Sequence, residues 1–252
     1  QNILRRYAAA IDHITQAGDQ RGGLSCPRGG HEVQEKSVLS LELLSQFLSV
    51  PVVVLKDAFF YFNDSVIFGG DDDSYPYNCV SVYALNPVYT DMSALPPLAS
   101  TKRNTYYQKE REALNSEPSV RYSKAYRLKM SYLHELFEEQ SGELLADEGF
   151  RAFEQEHQQW LKPYALFRFL VSRLHCNIWD WKEYPSYDAD TMERVVAEYP
   201  DAVNEVAFHS YVQYLLFKQL GEAHKYANSI GVALKGDIPI GVAPNGVDVW
   251  CD

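Results

Sequence analysis

The sequence predicts an α/β fold interrupted by a large helical insertion, and three observations predict it. First, a helical pattern from Tyr211 to Asn228 leads into the short apolar run Val232 to Leu234, with Gly236 and Asp237 at its carboxyl end. A helix feeding a strand whose tip carries an acid is half of a β/α repeat, and parallel α/β folds place their chemistry at that end of the strands. Second, strand-like runs occur far upstream. Pro51 to Leu55 is apolar and β-branched, and "CVSVYALNP" (79 to 87) alternates β-branched and aromatic residues with small ones. Third, residues 103–115, 121–140, 148–173 and 190–198 between them are charged, helical in texture and poor in strand signals.

Taken in order, residues 2–17 read as an amphipathic helix and "AGDQRGGLSCPRGGHE" (17 to 32) as a loop. Its two RGG triplets are read as linker in so acidic a chain. Val38 to Leu48 is helical in pattern, and "FNDSVIFGGDDDSYPYN" (62 to 78) is a polar, turn-rich loop. The texture changes after Pro96-Pro97. In the third helical stretch Phe150, Phe153, His157, Trp160 and Leu161 make one stripe. Pro163 is expected to open a further helix at its first turn, where a missing N–H costs nothing. In the last helix Val212, Leu215, Leu216, Ala223, Tyr226 and Ala227 fall near helical spacing, and Gly231 is the expected stop.

Bulk properties narrow the function. A hydrophobic content of 46% supplies ample core and excludes a disordered chain. Acids outnumber bases 34 to 23, for a formal charge of -11. Such a surface repels phosphates, so neither nucleic acid nor an anionic membrane is an expected partner. No signal peptide and no apolar run of transmembrane length is present. Cys26, Cys79, Cys176 and Cys251 are scattered without CxxC spacing, the pattern of reduced thiols in a cytoplasmic protein. The chain starts at Gln1, not Met, which reads as a processed, trimmed or incomplete sequence.

Most motif-like stretches carry no chemistry. "HELFEE" (134 to 139) puts Glu138 where HExxH needs its second histidine, and no other soft ligand is near in sequence. It reads as a solvated helix face, with no metal site. His175 and Cys176 are adjacent and so point apart, unlike a nucleophile and its base. "GGDDDS" (69 to 74) lacks the spaced oxygen ligands of a calcium loop. Neither GxGxxG nor GxxxxGK occurs, so no nucleotide or other cofactor is expected. The informative loop is Asp73-Ser74-Tyr75-Pro76-Tyr77-Asn78, with a hydroxyl, an amide, a carboxylate and two aromatic rings in six residues. That mix suits a sugar, which has apolar faces and a rim of hydroxyls. A turn with packed tyrosines is the other reading. Asp237 likewise is either a site acid or a buried acid that satisfies backbone donors.

Five stretches then occur in one order: "DSYPYNCVSVYALNPVYTDM" (73 to 92), "FRAFEQEHQQWLKPYALFRFL" (150 to 170), "WDWKEYP" (179 to 185), "QYLLFKQL" (213 to 220) and "GDIPIGVAPNGVDVW" (236 to 250). In combination they resemble the 4-α-glucanotransferases of glycoside hydrolase family 77, the amylomaltases or disproportionating enzymes. The resemblance covers residues 62 to 252, and "FNDS" fits the family's "INDT" segment. Asn245 stands where many bacterial members have Asp. With Gly241 it resembles the cytosolic disproportionating type of plants and Bacteroidetes-like bacteria. Residues 1–61 lie outside the resemblance.

The resemblance implies an incomplete (β/α)8 TIM barrel, early strands only, with a large inserted helical subdomain. The implied organisation is an N-terminal segment (1–61), an early barrel strand and substrate loop (62–99), the helical insertion (100–208), and a barrel helix with the third strand and its loop (209–252). It also implies transfer of α-1,4-glucan segments between maltose or maltooligosaccharides by a retaining mechanism. That mechanism needs two carboxyls about 5 Å apart. The family carries them on later strands, in segments of the "RIDH" kind, and none occurs here. The expectation is therefore a chain that stops after the third strand, holds neither nucleophile nor acid/base, is inactive alone and leaves a sheet edge open. What carries over is substrate contact. Asp237 matches the acid beside the donor sugar, and Ser74 and Tyr77 match the "DSPY" loop. Tyr75 is one residue more than the bacterial pattern, and Asn245 lies in the third-strand loop. Two alternatives stand beside this reading: an α-amylase-like hydrolase, against which the insertion and "WLKPYALF" speak, and a non-catalytic glucan-binding protein.

Overall fold

The computed structural model describes Asp64 and residues 79–118, 120–232 and 243–252. The helices expected at 2–17 and 38–48, the strand at 51–55, residues 233–234 of the strand at 232–234, and the loop 62–78 apart from Asp64 lie outside the described residues. The chain divides into two compact units, Gln1–Phe60 with Leu220–Asp237 and Tyr61–Gln219 with Ile238–Asp252. Of the first unit only residues 220–232 are described. They hold the last turns of a helix that ends at Ser229. The expected stop is in place: Gly231 has φ 77°, a left-handed conformation that glycine adopts without a steric cost, and the Val232 N–H returns to the Ala227 carbonyl at 2.9 Å.

The second unit is built of helices. Helix α1, Thr101–Asn115, starts where the Ser100 hydroxyl accepts the Arg103 N–H, and α2 spans Tyr122–Leu144. Their contact buries Tyr107, Tyr132 and Leu136 with Met92 and Leu98. The Tyr107 and Tyr132 rings meet edge to face at 5.0 Å, a favoured arrangement for two quadrupoles. Helix α3, Glu148–Leu174, is capped by Asp147, whose carboxylate accepts the Phe150 N–H at 2.8 Å. It ends at His175, held at φ 53°. The expected stripe forms: Phe150, Phe153 and Leu161 are buried, and Phe153, His157 and Trp160 pack around Phe217 at centroid distances of 5.2 to 5.7 Å.

Two helix expectations are corrected. Pro163 opens no new helix; it lies buried inside α3. A proline there removes one backbone bond and costs about 3 kcal/mol. The buried run of Tyr164, Ala165, Leu166, Phe167, Phe169 and Leu170 directly after it outweighs that penalty. After the short helix α4, Thr191–Glu198, the last long helix α5 is Ala202–Ser229 and starts nine residues before the expected Tyr211. Ala202, Val206 and Phe208 are buried on those added turns, so the apolar face continues upstream.

The segment 79–87 also departs from a continuous strand. Among the described residues no strand run occurs; Cys79 and Leu85 are isolated bridge residues, and Asn86 opens a short 3-10 turn, Pro87–Tyr89. Loop bonds take over: the Ser81 hydroxyl accepts the N–H groups of Tyr83 and Ala84 at 3.1 Å each. That local bonding competes with a β ladder. The short helix α6, Val247–Cys251, inserts Trp250 into the core formed by Phe167, Trp181 and Tyr187.

Candidate functional site

The motif stretches separated in sequence meet in the second unit. Cys79 accepts the Ala243 N–H at 3.1 Å, and Val80 accepts the Val247 N–H at 2.8 Å. The Val82 N–H donates to Asp248 Oδ2 at 2.9 Å. Gly246 lies so close that a Cβ there would sit 2.8 Å from the Val80 carbonyl oxygen and 3.0 Å from that of Ala243. Only glycine allows that approach. Nearby, the "WDWKEYP" stretch receives Trp250: its indole N–H donates to the Tyr184 carbonyl at 2.9 Å, and its own carbonyl accepts the Tyr187 N–H.

Beneath this junction runs a buried polar network. Asp64 is 1% exposed, and its backbone pairs with both sides of the loop, donating to Ala84 and accepting from Val80 at 2.7 Å each. Asp64 Oδ2 accepts the Tyr164 hydroxyl at 2.7 Å and lies 3.7 Å from the Arg168 guanidinium, whose other nitrogen bonds the Tyr126 hydroxyl. Among the described residues Asp64 Oδ1 has no hydrogen-bond partner. The fully buried Gln213 donates to the Tyr164 oxygen at 3.2 Å. It also closes a two-way clamp on Leu85, accepting its N–H at 2.8 Å and donating to its carbonyl at 2.9 Å. One helical turn and a half along α5, Gln219 does the same to Asp91, at 2.8 and 3.1 Å.

Burial sets the electrostatics. It pushes the Asp64 carboxyl up, against the pull of the Arg168 charge and the Tyr164 bond. Burial also raises the Asp248 carboxyl, with the Val82 N–H opposing and Asp252 adding to the rise. The Cys79 thiol is raised by burial and then by the neighbouring Asp248 charge, which leaves it a poor nucleophile. His209, on α5, is held well below its ordinary value by burial, with the Arg168 and His134 charges adding to the effect.

Of the residues the sequence singled out, Asn245 is half-buried in the turn before Gly246, within the junction. Asp237, Ser74, Tyr75 and Tyr77 lie outside the described residues. His134 stacks on Phe208 at 3.7 Å and lies 3.6 Å from Glu205, and among the described residues no cluster of three metal-ligating side chains occurs. His175 terminates α3, and Cys176 is exposed. Asp64, Arg168, Gln213 and Asp248 were not singled out by the sequence. A glutamine inside the apolar run "VQYLLF" and an acid in "FNDS" were the available signals. Among the described residues no helix is long and apolar enough to cross a membrane.

Comparison with known proteins places this arrangement. A family model described as 4-alpha-glucanotransferase matches residues 59–252. The rice protein 4-alpha-glucanotransferase DPE2 (Oryza sativa subsp. japonica) is 33% identical over 189 residues, which is 75% of this chain and 20% of that protein. A 4-alpha-glucanotransferase of Chlamydia trachomatis is 34% identical over 70% of this chain and 33% of its own length. One from Thermus thermophilus is 33% identical over 69% and 34%. The chain thus spans a fifth to about a third of these relatives. An amylomaltase from Streptococcus agalactiae, solved in complex with acarbose, superposes with a TM-score of 0.54 at 21% identity, over 75% of this chain and 37% of that one. That likeness shows an amylomaltase-like fold. The motifs, their packing and the family match agree: the chain belongs to the 4-alpha-glucanotransferase family, glycoside hydrolase family 77.

Proposed function

We propose that this chain forms the early part of a (β/α)8 barrel, with residues 100–208 as a helical insertion, in a cytoplasmic 4-α-glucanotransferase. The protein moves α-1,4-glucan segments between maltose or maltooligosaccharides. The observation that carries the reading is the family match over residues 59–252. The convergence of residues 79–83 with 243–248 supports it, because two stretches that carry the resemblance form one surface.

In this reading 62–99 is an early strand with its substrate loop, 209–252 holds the third strand and its loop, and 1–61 is a separate N-terminal segment. Ser74, Tyr75 and Tyr77 line the glucan cleft, Asp237 bonds hydroxyls of the donor sugar, and Asn245 borders it. Asn245 and Gly241 favour the cytosolic plant type. Reaction proceeds by retaining double displacement, with a carboxylate attacking the anomeric carbon and a second carboxyl protonating the departing glucan. An acceptor sugar hydroxyl then resolves the covalent intermediate. No residue of 1–252 is assigned to either catalytic role.

The test is to incubate with maltotriose the whole enzyme of which this chain is proposed to form the early barrel, beside the 252-residue chain alone, which is expected to be inactive. The expected result for the whole enzyme is a ladder of longer oligosaccharides with free glucose, at a constant number of reducing ends. A net gain of reducing ends without longer products would replace the reading with hydrolysis. Binding without turnover would replace it with a non-catalytic glucan-binding protein.

A further inference from the structure

We infer that Tyr83 is a sugar-stacking platform that takes the apolar face of a glucosyl unit of an α-1,4-glucan. The inference rests on the glucan reading above but concerns a residue to which that reading gives no contact with the sugar. Tyr83 is 57% exposed, although it sits in a loop whose other residues are held tightly. Its own N–H and that of Ala84 are taken by the buried Ser81 hydroxyl. The preceding N–H, from Val82, is taken by Asp248, and both backbone groups of Leu85 are clamped by Gln213. The backbone on either side of the ring is therefore fixed before any ligand arrives, and a fixed donor surface loses little entropy on binding.

The ring has a stacking neighbour as well. It lies nearly parallel to Trp160, with centroids 6.1 Å apart and planes 19° apart, and Trp160 stacks in turn on Phe217 at 5.7 Å and 28°. One side of Tyr83 is thus braced by an aromatic stack anchored in α3 and α5, while more than half of the residue faces out. A tyrosine placed for core packing would bury both faces, and one placed for solubility would need no such backing. A glucopyranose ring presents axial C–H bonds on its faces, and these pack against an electron-rich aromatic face while the hydroxyl rim stays in water. Tyr83 also follows Val82, which Asp248 ties to the turn that carries Asn245, one of the residues assigned to glucan contact.

The experiment titrates the full 252-residue chain with maltoheptaose, following tryptophan fluorescence and saturation-transfer difference NMR. Trp160 stacks beside Tyr83 and reports on it. Tyr83→Ala is expected to weaken binding roughly five- to tenfold, while Tyr83→Phe, which keeps the face, stays within about twofold of the native chain. Trp179→Ala removes another exposed ring, 66% accessible, and is expected to leave binding unchanged. Thermal melts that coincide for native chain and Tyr83→Ala assign the loss to the contact. Equal binding by Tyr83→Ala overturns the platform, as does absence of any maltoheptaose binding by the native chain. Both results leave the maltotriose assay to decide the transferase reading. Tyr83-dependent binding beside a failed transfer assay sustains the platform and sinks the transferase.

Discussion

Tyr164 is the residue on which the buried network turns. Its hydroxyl donates to Asp64 and accepts from Gln213, so it satisfies one group from the loop and one from α5. Tyr164→Phe keeps the ring and removes both bonds. Among the described residues one Asp64 oxygen already has no partner, and the change would orphan the other from its hydroxyl donor. A buried polar group left unsatisfied costs about 1–3 kcal/mol, and a loss in that range is expected from urea melts of Tyr164→Phe. A change below about 0.5 kcal/mol, the scale of a neutral surface substitution, would show that the network does not stabilise the fold. None of this pairing was legible in the sequence. Tyr164 and Asp64 are 100 positions apart, and Gln213 and Leu85 are 128 apart. A polar residue within an apolar stretch says that a partner is needed without saying which.

At the scale of elements, the stop of α5 was legible in the sequence while its start and the run of α3 through Pro163 were not. Gly231 stops α5 as its sequence position implied, because a left-handed residue after the last turn is a local requirement. α3 reaches the same geometry with His175 at φ 53°, exposed and without glycine's freedom. His175→Gly is therefore expected to raise stability by about 0.5–1 kcal/mol, read as a higher melting temperature. A lower one would mean that the imidazole makes a compensating contact. Pro163 is the converse case. The local rule places proline at a helix start, yet burial on the following turn carries α3 straight through it.

At the scale of the whole molecule, stability responds to pH through buried titratable groups, and His209, which burial holds well below its ordinary value, is the clearest. Its folded-state value lies well below 6.5, so below pH 6.5 the unfolded chain binds a proton that the folded chain refuses. Stability that is fully present above pH 6.5 is then lost as pH falls toward the folded-state value. The slope from this one group is at most about 1.4 kcal/mol per pH unit. His209→Gln is expected to flatten the fall in urea-measured stability between pH 7 and 5. Parallel curves for the two proteins would exclude His209 as the source. The groups whose charge acts on it are Arg168 on α3 and His134 on α2, and both carry over unchanged in the variant.

The sequence by itself located the helical stretches between 101 and 198 and the stop of α5, though not the start of α5 or the run of α3 through Pro163, because an α-helix satisfies its backbone within four residues and shows its buried face as a local period. It also determined family membership, through five stretches whose order and composition are specific together. It could not determine what 79–87 would become. A strand needs a partner from elsewhere, and here Asp64, Ala243 and Val247 pair with that segment at single points while Ser81 folds it back on itself. Only the tertiary structure decided that residues 79–83 and 243–248 share one surface, that Asp64 and Gln213 brace it from beneath, and that Tyr83 is left facing outward on Trp160. Each of those facts depends on contacts between residues far apart in the chain, and such contacts leave no periodicity for the sequence to display.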